Sequence, residues 1–286
     1  MIVKIGLPLI LAFIMFSLGL GLRKQDFARV FQYPKAFFTG AAIQLVILPV
    51  FAFCLVKAVS FPPEIAVGVM ILSFCPGGVT SNVLTRISNG NTPLSISLTA
   101  ITSLVAIVTV PILVSLSVDH FMGTDAPDVD ILGLGLTMFL ITAVPVALGM
   151  LVTVIAPGLV AKISGMVSRA AMILFFMIIV AALASNWAVF SSNLPSLGPA
   201  LALLNIGMLG IGLAGSRLMG LKAADATTVS IEAGVQNGTL GIAVGSLIAL
   251  GATESLPPAT VPSAVYSIIM YLVTVPFVVW RRRMQG

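Results

Sequence analysis

The chain has 286 residues, of which 59% are hydrophobic and only 8% charged, whereas about a quarter of the residues of a soluble domain carry charge. Apolar stretches of about 20 residues, long enough to cross a hydrocarbon core, recur from end to end, so the sequence describes an all-α polytopic membrane protein and excludes a soluble fold. A nucleic-acid role for the net charge of +5 goes with it, and so does a transmembrane barrel, because the segments are continuously apolar and do not alternate.

The first stretch, Met1 to Leu22, has Lys4 alone ahead of it and Arg23, Lys24 and Arg29 behind it. A secretory signal carries its positive charge in front, so this stretch reads as a retained helix with its N-terminus outside. Breaks at charges and at Pro or Gly clusters then give nine spans, roughly at 2–22, 35–58, 64–88, 92–117, 131–155, 159–188, 196–219, 223–249 and 259–281. Nine spans put the termini on opposite faces. Twelve of the fourteen basic residues (Arg23, Lys24, Arg29, Lys35, Arg86, Lys162, Arg169, Arg217, Lys222 and Arg281 to Arg283) then fall inside, and only Lys4 and Lys57 outside. Six of the nine acids (Glu64, Asp119, Asp125, Asp128, Asp130 and Glu254) fall outside. This partition is the one that insertion favours. Cys54 and Cys75 lie within apolar segments and read as small buried hydrophobes, with neither a disulfide framework nor a zinc site implied. His120 reads as solvated, in a loop among aspartates.

Two spans are interrupted. The third is apolar up to Pro76-Gly77-Gly78, after which Thr80, Ser81 and Asn82 follow; the eighth sets Glu232, Gln236 and Asn237 around Gly234 and Gly238. Proline removes a backbone donor, and glycine lowers helix preference by about 1 kcal/mol. In lipid such breaks persist only where protein or an aqueous cavity satisfies the freed backbone, and a pair of them in corresponding halves points to a secondary-transporter site. The third span is the middle of spans two to four, and the eighth the middle of spans seven to nine. The architecture therefore reads as an inverted repeat with two crossed discontinuous helices.

Glu232 is the one carboxylate that no membrane face accommodates. A charge at mid-helix costs about 2.5–3.5 kcal/mol on insertion scales, and no Lys or Arg lies at its depth. It is therefore either protonated or bound to a cation. Around it stand Gln44, Ser81, Asn82 and Gln236, with Ser95 and Thr99 four apart on one helix face. Oxygen-only ligation suits a hard cation. The plainer readings are packing hydroxyls for Ser95 and Thr99, a helix-bridging strut for Gln44 and a cap for Asn82, while Gly241 and Gly245 read as helix packing. Each break also starts a half-helix, near Val79-Thr80-Ser81 and near Asn237-Gly238-Thr239, whose free N–H donors favour an anion, most naturally a carboxylate. Cation and anion together make co-transport, and no catalytic set indicates an enzyme.

The run Cys75-Pro76-Gly77-Gly78-Val79-Thr80-Ser81-Asn82, with Leu94-Ser95-Ile96-Ser97-Leu98-Thr99 and Ile231-Glu232-Ala233-Gly234-Val235-Gln236-Asn237, resembles the bile acid:sodium symporter family over nearly the whole chain. The resemblance implies a core domain, about 35–117 and 196–281, moving against a panel domain, about 2–22 and 131–188. It implies one sodium site at Ser81, Asn82, Ser95, Thr99 and Glu232. A second is implied at Gln44, Glu232, Gln236 and the carbonyls of Ala233 and Val235. Backbone around Val79, with Thr80, Asn237 and Gly238, matches positions facing the substrate. The family plan has ten helices, and this chain begins at what resembles the second. Met270-Tyr271 stand where members that bind bile acids well have a His-Asn pair. The expectation is a sodium-coupled symporter in a bacterial inner membrane, importing a small organic anion such as a 2-oxo acid or a pantoate-like carboxylate, with no obligatory protein partner. The alternatives are a bile-acid symporter, a metalloid or proton-coupled exporter of the related arsenite-carrier type using Cys75, and a membrane-embedded sensor or enzyme.

Overall fold

A computed structural model describes residues 2–248 and 256–285. Met1 and Glu254, assigned above to the outer face, are not among these, nor are the side chains of Lys4 and Asp125. The described residues form helices and no strand. In chain order they are α1 (Ile2–Gly21), α2 (Lys24–Ala28), α3 (Pro34–Val59), α4 (Pro63–Phe74), α5 (Val79–Ile87), α6 (Thr92–Met122), α7 (Ile131–Ile155), α8 (Pro157–Ser185), α9 (Trp187–Leu218), α10 (Ala223–Gly234), α11 (Gly238–Ile248) and α12 (Val261–Gln285). Among the described residues six helices are long and apolar enough to cross a bilayer, and a seventh if α1 and the segment Lys24–Phe31, bent by 78°, form one span. The third and eighth intervals are not continuous spans: each holds a pair of short helices, α4/α5 and α10/α11.

The surface is inverted relative to a soluble protein. Leu132, Val154 and Leu218 are 85%, 78% and 88% exposed, as side chains facing lipid tails can be. Close approaches hold the bundle together at small residues, the usual device where lipid competes for apolar contact. A methyl group on Gly212 of α9 would lie 2.6 Å from the Ser230 backbone of α10, and one on Gly40 of α3 would meet Leu98 of α6 at 2.8 Å. On the other side of the molecule Gly19 of α1 abuts the Val146 backbone, and Gly149 of α7 abuts that of Phe16, so α1 packs tightly on α7 and also against α8.

Two long helices widen by one residue. Ile43–Ile47 in α3 and Phe139–Ala143 in α7 form π-turns. Each ends just before a proline, Pro49 and Pro145, whose missing N–H and bulky ring displace the α-helical bond four residues back. The first of these turns carries Gln44.

Three expectations are corrected, and one basic residue turns out to be buried. The seventh span begins at Trp187, not 196, because Pro195 and Pro199 stay within the helix. Both prolines are exposed, and Ser192 and Asn193 donate to the Val189 carbonyl one turn earlier, at 3.2 and 2.9 Å. The fourth span runs on to Met122, so His120 sits in its last turn with its ring against Phe53 and Phe121. Cys54 is exposed on α3, and only Cys75 is buried. Arg281 is buried as well: its Nε donates to Thr227 Oγ1 at 3.0 Å and its Nη2 to the Ala223 carbonyl at 3.3 Å, tying the end of α12 to the start of α10.

Candidate functional site

The two breaks have local causes. Pro76 disfavours a helical conformation in the residue before it, and Cys75 is accordingly extended, with ψ 143°. Gly78, also extended, precedes α5. In the other pair α10 ends at Gly234, Val235 is extended, and α11 begins at Gly238. The breaks cross. The Asn237 N–H donates to the Pro76 carbonyl at 2.9 Å, satisfying an oxygen that the lost helical turn leaves free. The Asn237 side chain caps α11, its Oδ1 accepting from Leu240 N–H at 3.1 Å and from Thr239 Oγ1 at 2.7 Å, so among the described residues only its amide N–H groups have no protein partner.

Glu232, near the end of α10, is 1% exposed and has no ion-pair partner among the described residues. Its Oε1 accepts from Ser95 Oγ, and its Oε2 accepts from Thr99 Oγ1 at 2.9 Å. Ser95 Oγ also lies 2.8 Å from Asn82 Oδ1, so one hydroxyl proton faces two acceptors. Ser81 spends its proton on the Gly78 carbonyl at 2.7 Å while its Oγ stands 3.4 Å from Thr99 Oγ1. The cluster holds more acceptor oxygens than protons to share. Gly77 makes it possible: a methyl group there would lie 2.6 Å from Glu232 Oε2 and 3.3 Å from Thr99 Oγ1.

On the other side of Glu232 two amides are half-satisfied. Gln44 Nε2 donates to the Glu232 carbonyl at 3.3 Å, and Gln236 Nε2 to the Ala233 carbonyl at 2.9 Å, while Oε1 of each is buried without a partner. Leaving a buried acceptor unpaired costs about 1–3 kcal/mol, and two such oxygens, on amides bonded to the Glu232 and Ala233 backbone carbonyls, suit a hard cation. Of the sequence-assigned set, then, Ser81, Asn82, Ser95, Thr99 and Glu232 meet in one cluster. Gln44, Gln236 and Ala233 meet at the second break, with Val235 extended between them.

A cavity of about 180 Å³ adjoins the crossing. Thr80, Gly78, Gln236, Asn237, Gly238 and Met270 line it from the broken helices and α12, facing Met15 and Ser17 of α1 and Phe175 of α8. Val79 begins α5 at its edge. Tyr271 does not line the cavity; its buried hydroxyl lies against the Thr80 side chain without a hydrogen bond of good geometry. Sequence reasoning missed Asn205 and Tyr266, both fully buried. Asn205 Nδ2 and the Tyr266 hydroxyl each donate to the Gly234 carbonyl at 2.6 Å and bond to each other at 3.0 Å. They satisfy one of the carbonyls that the break leaves without a helical partner. A signal existed for Asn205, an amide in an otherwise apolar span. The α1 and α8 wall carried none.

A profile of the Sodium Bile acid symporter family matches residues 8–193. The chain is 29% identical over 271 residues to the probable sodium/metabolite cotransporter BASS1, chloroplastic, of Arabidopsis thaliana, covering 94% of this chain and 65% of that protein. It is 30% identical over 263 residues to the uncharacterized sodium-dependent transporter YocS of Bacillus subtilis, covering 92% and 78%. Similarity to the ileal sodium/bile acid cotransporter of Oryctolagus cuniculus is 32% over 148 residues, 51% of this chain and 42% of that protein.

Proposed function

The chain belongs to the sodium bile acid symporter family, a family of transporters and not of enzymes, and on that premise we propose that it couples the entry of a small organic anion to that of sodium across a bacterial inner membrane. The observation that carries this reading is the acceptor-rich cluster around Glu232, with the unpaired oxygens of Gln44 and Gln236 beside it. Sodium is a co-substrate here. One ion sits among Ser81, Asn82, Ser95, Thr99 and Glu232, and the second among Gln44, Gln236, Glu232 and the Ala233 and Val235 carbonyls, so that one fixed negative charge is shared by two cations. Oxygen atoms at neutral hydroxyls, amides and carbonyls strip a hard cation of water without demanding a second buried charge.

Bound sodium bridges α5, α6 and α10 and thereby fixes the two half-helix N-termini at Val79-Thr80 and Gly238-Thr239. The N–H groups of Val79, Thr80 and Thr239, with the Asn237 side-chain amide, receive the carboxylate, since the Gly238 N–H already donates to the Gln236 carbonyl at 3.0 Å. The cavity at the crossing, about 180 Å³, is of a size for a small acid, which supports a 2-oxo acid or a pantoate-like hydroxy acid as the anion held there. The thiol of Cys75, just past the end of α4, donates back to the Ile71 carbonyl at 3.3 Å, which argues against its serving as a metalloid ligand. The moving bodies are a panel of α1, α7 and α8 and a core built from α3 to α6 and α9 to α12.

Uptake of a small carboxylate by proteoliposomes tests the reading. Accumulation is expected with an inward sodium gradient and not when choline or potassium replaces sodium. Accumulation driven equally by a proton gradient without sodium would overturn it in favour of the proton-coupled alternative.

The charge distribution gives the orientation, with the N-terminus outside and Arg281 to Arg283 in the cytoplasm. In a chain lacking Cys54, single cysteines at positions 2 and 126 should react with an impermeant maleimide on intact cells, and one at position 284 only after permeabilisation. Labelling of both termini from one face would remove the nine-span topology.

A further inference from the structure

Beyond the crossover cavity lies a second one of about 340 Å³, bounded by the end of α1, by α5, by the start of α6 and by α8. It shares Ser17, Val83 and Ser168 with the crossover cavity, so the two are contiguous. Among the described lining residues of both, Arg86 is the one charged side chain. It is exposed, and among the described residues its guanidinium has no ion pair and no hydrogen bond. The hydroxyls that line the same space, Ser17, Thr92, Ser164 and Ser168, likewise have no protein hydrogen-bond partner among the described residues. Many hydroxyls elsewhere, such as those of Ser97, Thr102, Ser103, Thr109, Ser117 and Thr142, donate to a carbonyl of the preceding turn, while Thr85, Ser216 and Ser263 are buried without a partner but line neither cavity. One unpaired guanidinium and four unpaired hydroxyls, with no carboxylate in the lining, form a set of donors that lacks an acceptor.

We propose that Arg86 and these hydroxyls form a second anion subsite, which takes the carboxylate of a small organic acid on its way between the crossover and the face of the bundle where α1 ends. A guanidinium pairs with a carboxylate through two parallel N–H groups, stronger and more directional than a contact to a neutral donor. An anion leaving the half-helix N-termini loses its N–H donors inside a largely apolar wall. Ser168 and Ser17 are the next donors along the path, and Arg86 stands beyond them. Such a relay of weak sites lets an ion leave a tight one without crossing an undonated stretch. The subsite binds without sodium, because none of its groups needs a cation to be positioned. As a station on a transport path the proposal rests on the symport reading; as an anion site it does not.

The test is binding of pyruvate to the full chain in nanodiscs, with and without sodium, with pyruvamide as the uncharged control. Wild type is expected to show a weak sodium-independent phase and a tighter sodium-dependent one. Arg86→Gln should weaken the first at least tenfold and leave the second within about threefold; Arg86→Lys, which keeps the charge but loses the fork, should fall between. Glu232→Gln should do the reverse, removing the sodium-dependent phase and keeping the other. The subsite is overturned if wild type binds no pyruvate without sodium, if pyruvamide binds equally, if Arg86→Gln leaves that phase unchanged, or if Glu232→Gln abolishes both phases. Loss of the sodium-dependent phase from wild type alone would instead defeat the symport reading while leaving the subsite standing.

Discussion

Replacing Glu232 with Gln is expected to erase sodium-dependent stabilisation and sodium-promoted anion binding together while leaving the sodium-free protein folded. Gln keeps the volume of the side chain and can still bond to Ser95 and Thr99, which touch both carboxylate oxygens. It removes the one fixed negative charge shared by the two proposed ions. Losing one partner of a buried charge pair costs about 3–5 kcal/mol, which takes sodium affinity down by roughly two to three and a half orders of magnitude. Wild type held at a hundredfold excess of sodium over its dissociation constant should gain about 2.7 kcal/mol per site, and the variant nothing. Coupling is reciprocal, so anion affinity should lose the factor by which sodium had raised it. Thr99→Ala should lose much less, because it removes one neutral ligand that water can replace. A Glu232→Gln protein that keeps wild-type sodium dependence in a melting titration would show that the carboxylate holds no cation.

Gly77→Ala should come close to the same phenotype without touching a ligand. The added methyl group would fall 2.6 Å from Glu232 Oε2 and 3.3 Å from Thr99 Oγ1, so the carboxylate or the first break has to move. Overpacking of a closed interior costs about 1–3 kcal/mol. If that cost is charged to the geometry of the site, sodium affinity falls by about 5- to 150-fold. Gly210→Ala is the matched control, since nothing lies within 4 Å of the methyl position there, and it should bind as wild type does. Sodium titrations of both by thermal shift decide the matter: equal midpoints in the two variants would mean that the carboxylate can shift freely and that Gly77 has no part in the site.

Much of this was legible from residue order, and the reasons are local. The cost of placing charge in hydrocarbon marks the spans. The missing N–H of Pro76 and the preferences of Gly77 and Gly78 mark the first break, and the structure ends α4 at Phe74 and starts α5 at Val79. An acid with no basic residue at its depth marks Glu232. Where local signals misled, the neighbourhood had overridden them. Pro195 and Pro199 read as an end, yet they sit on the exposed side of a continuing helix. Cys54 read as buried only because its segment is apolar, and in this protein an apolar segment has a lipid side.

What the sequence by itself determined is therefore each segment's medium, its interruptions and the residue types gathered at each break, since transfer energy and backbone valence act over a few residues. Only the tertiary structure decided which breaks meet and what stands behind them. Ser95 and Gln44 reach Glu232 from 137 and 188 residues away, the Asn237 N–H closes on the Pro76 carbonyl, and Asn205 with Tyr266 satisfies the Gly234 carbonyl. The wall that α1 and α8 give the cavity, and the unpaired Arg86 beyond it, arise in the same way. These features depend on which helix faces which, set by close approaches such as Gly212 on Ser230, and hydropathy along a chain does not encode the choice of neighbour.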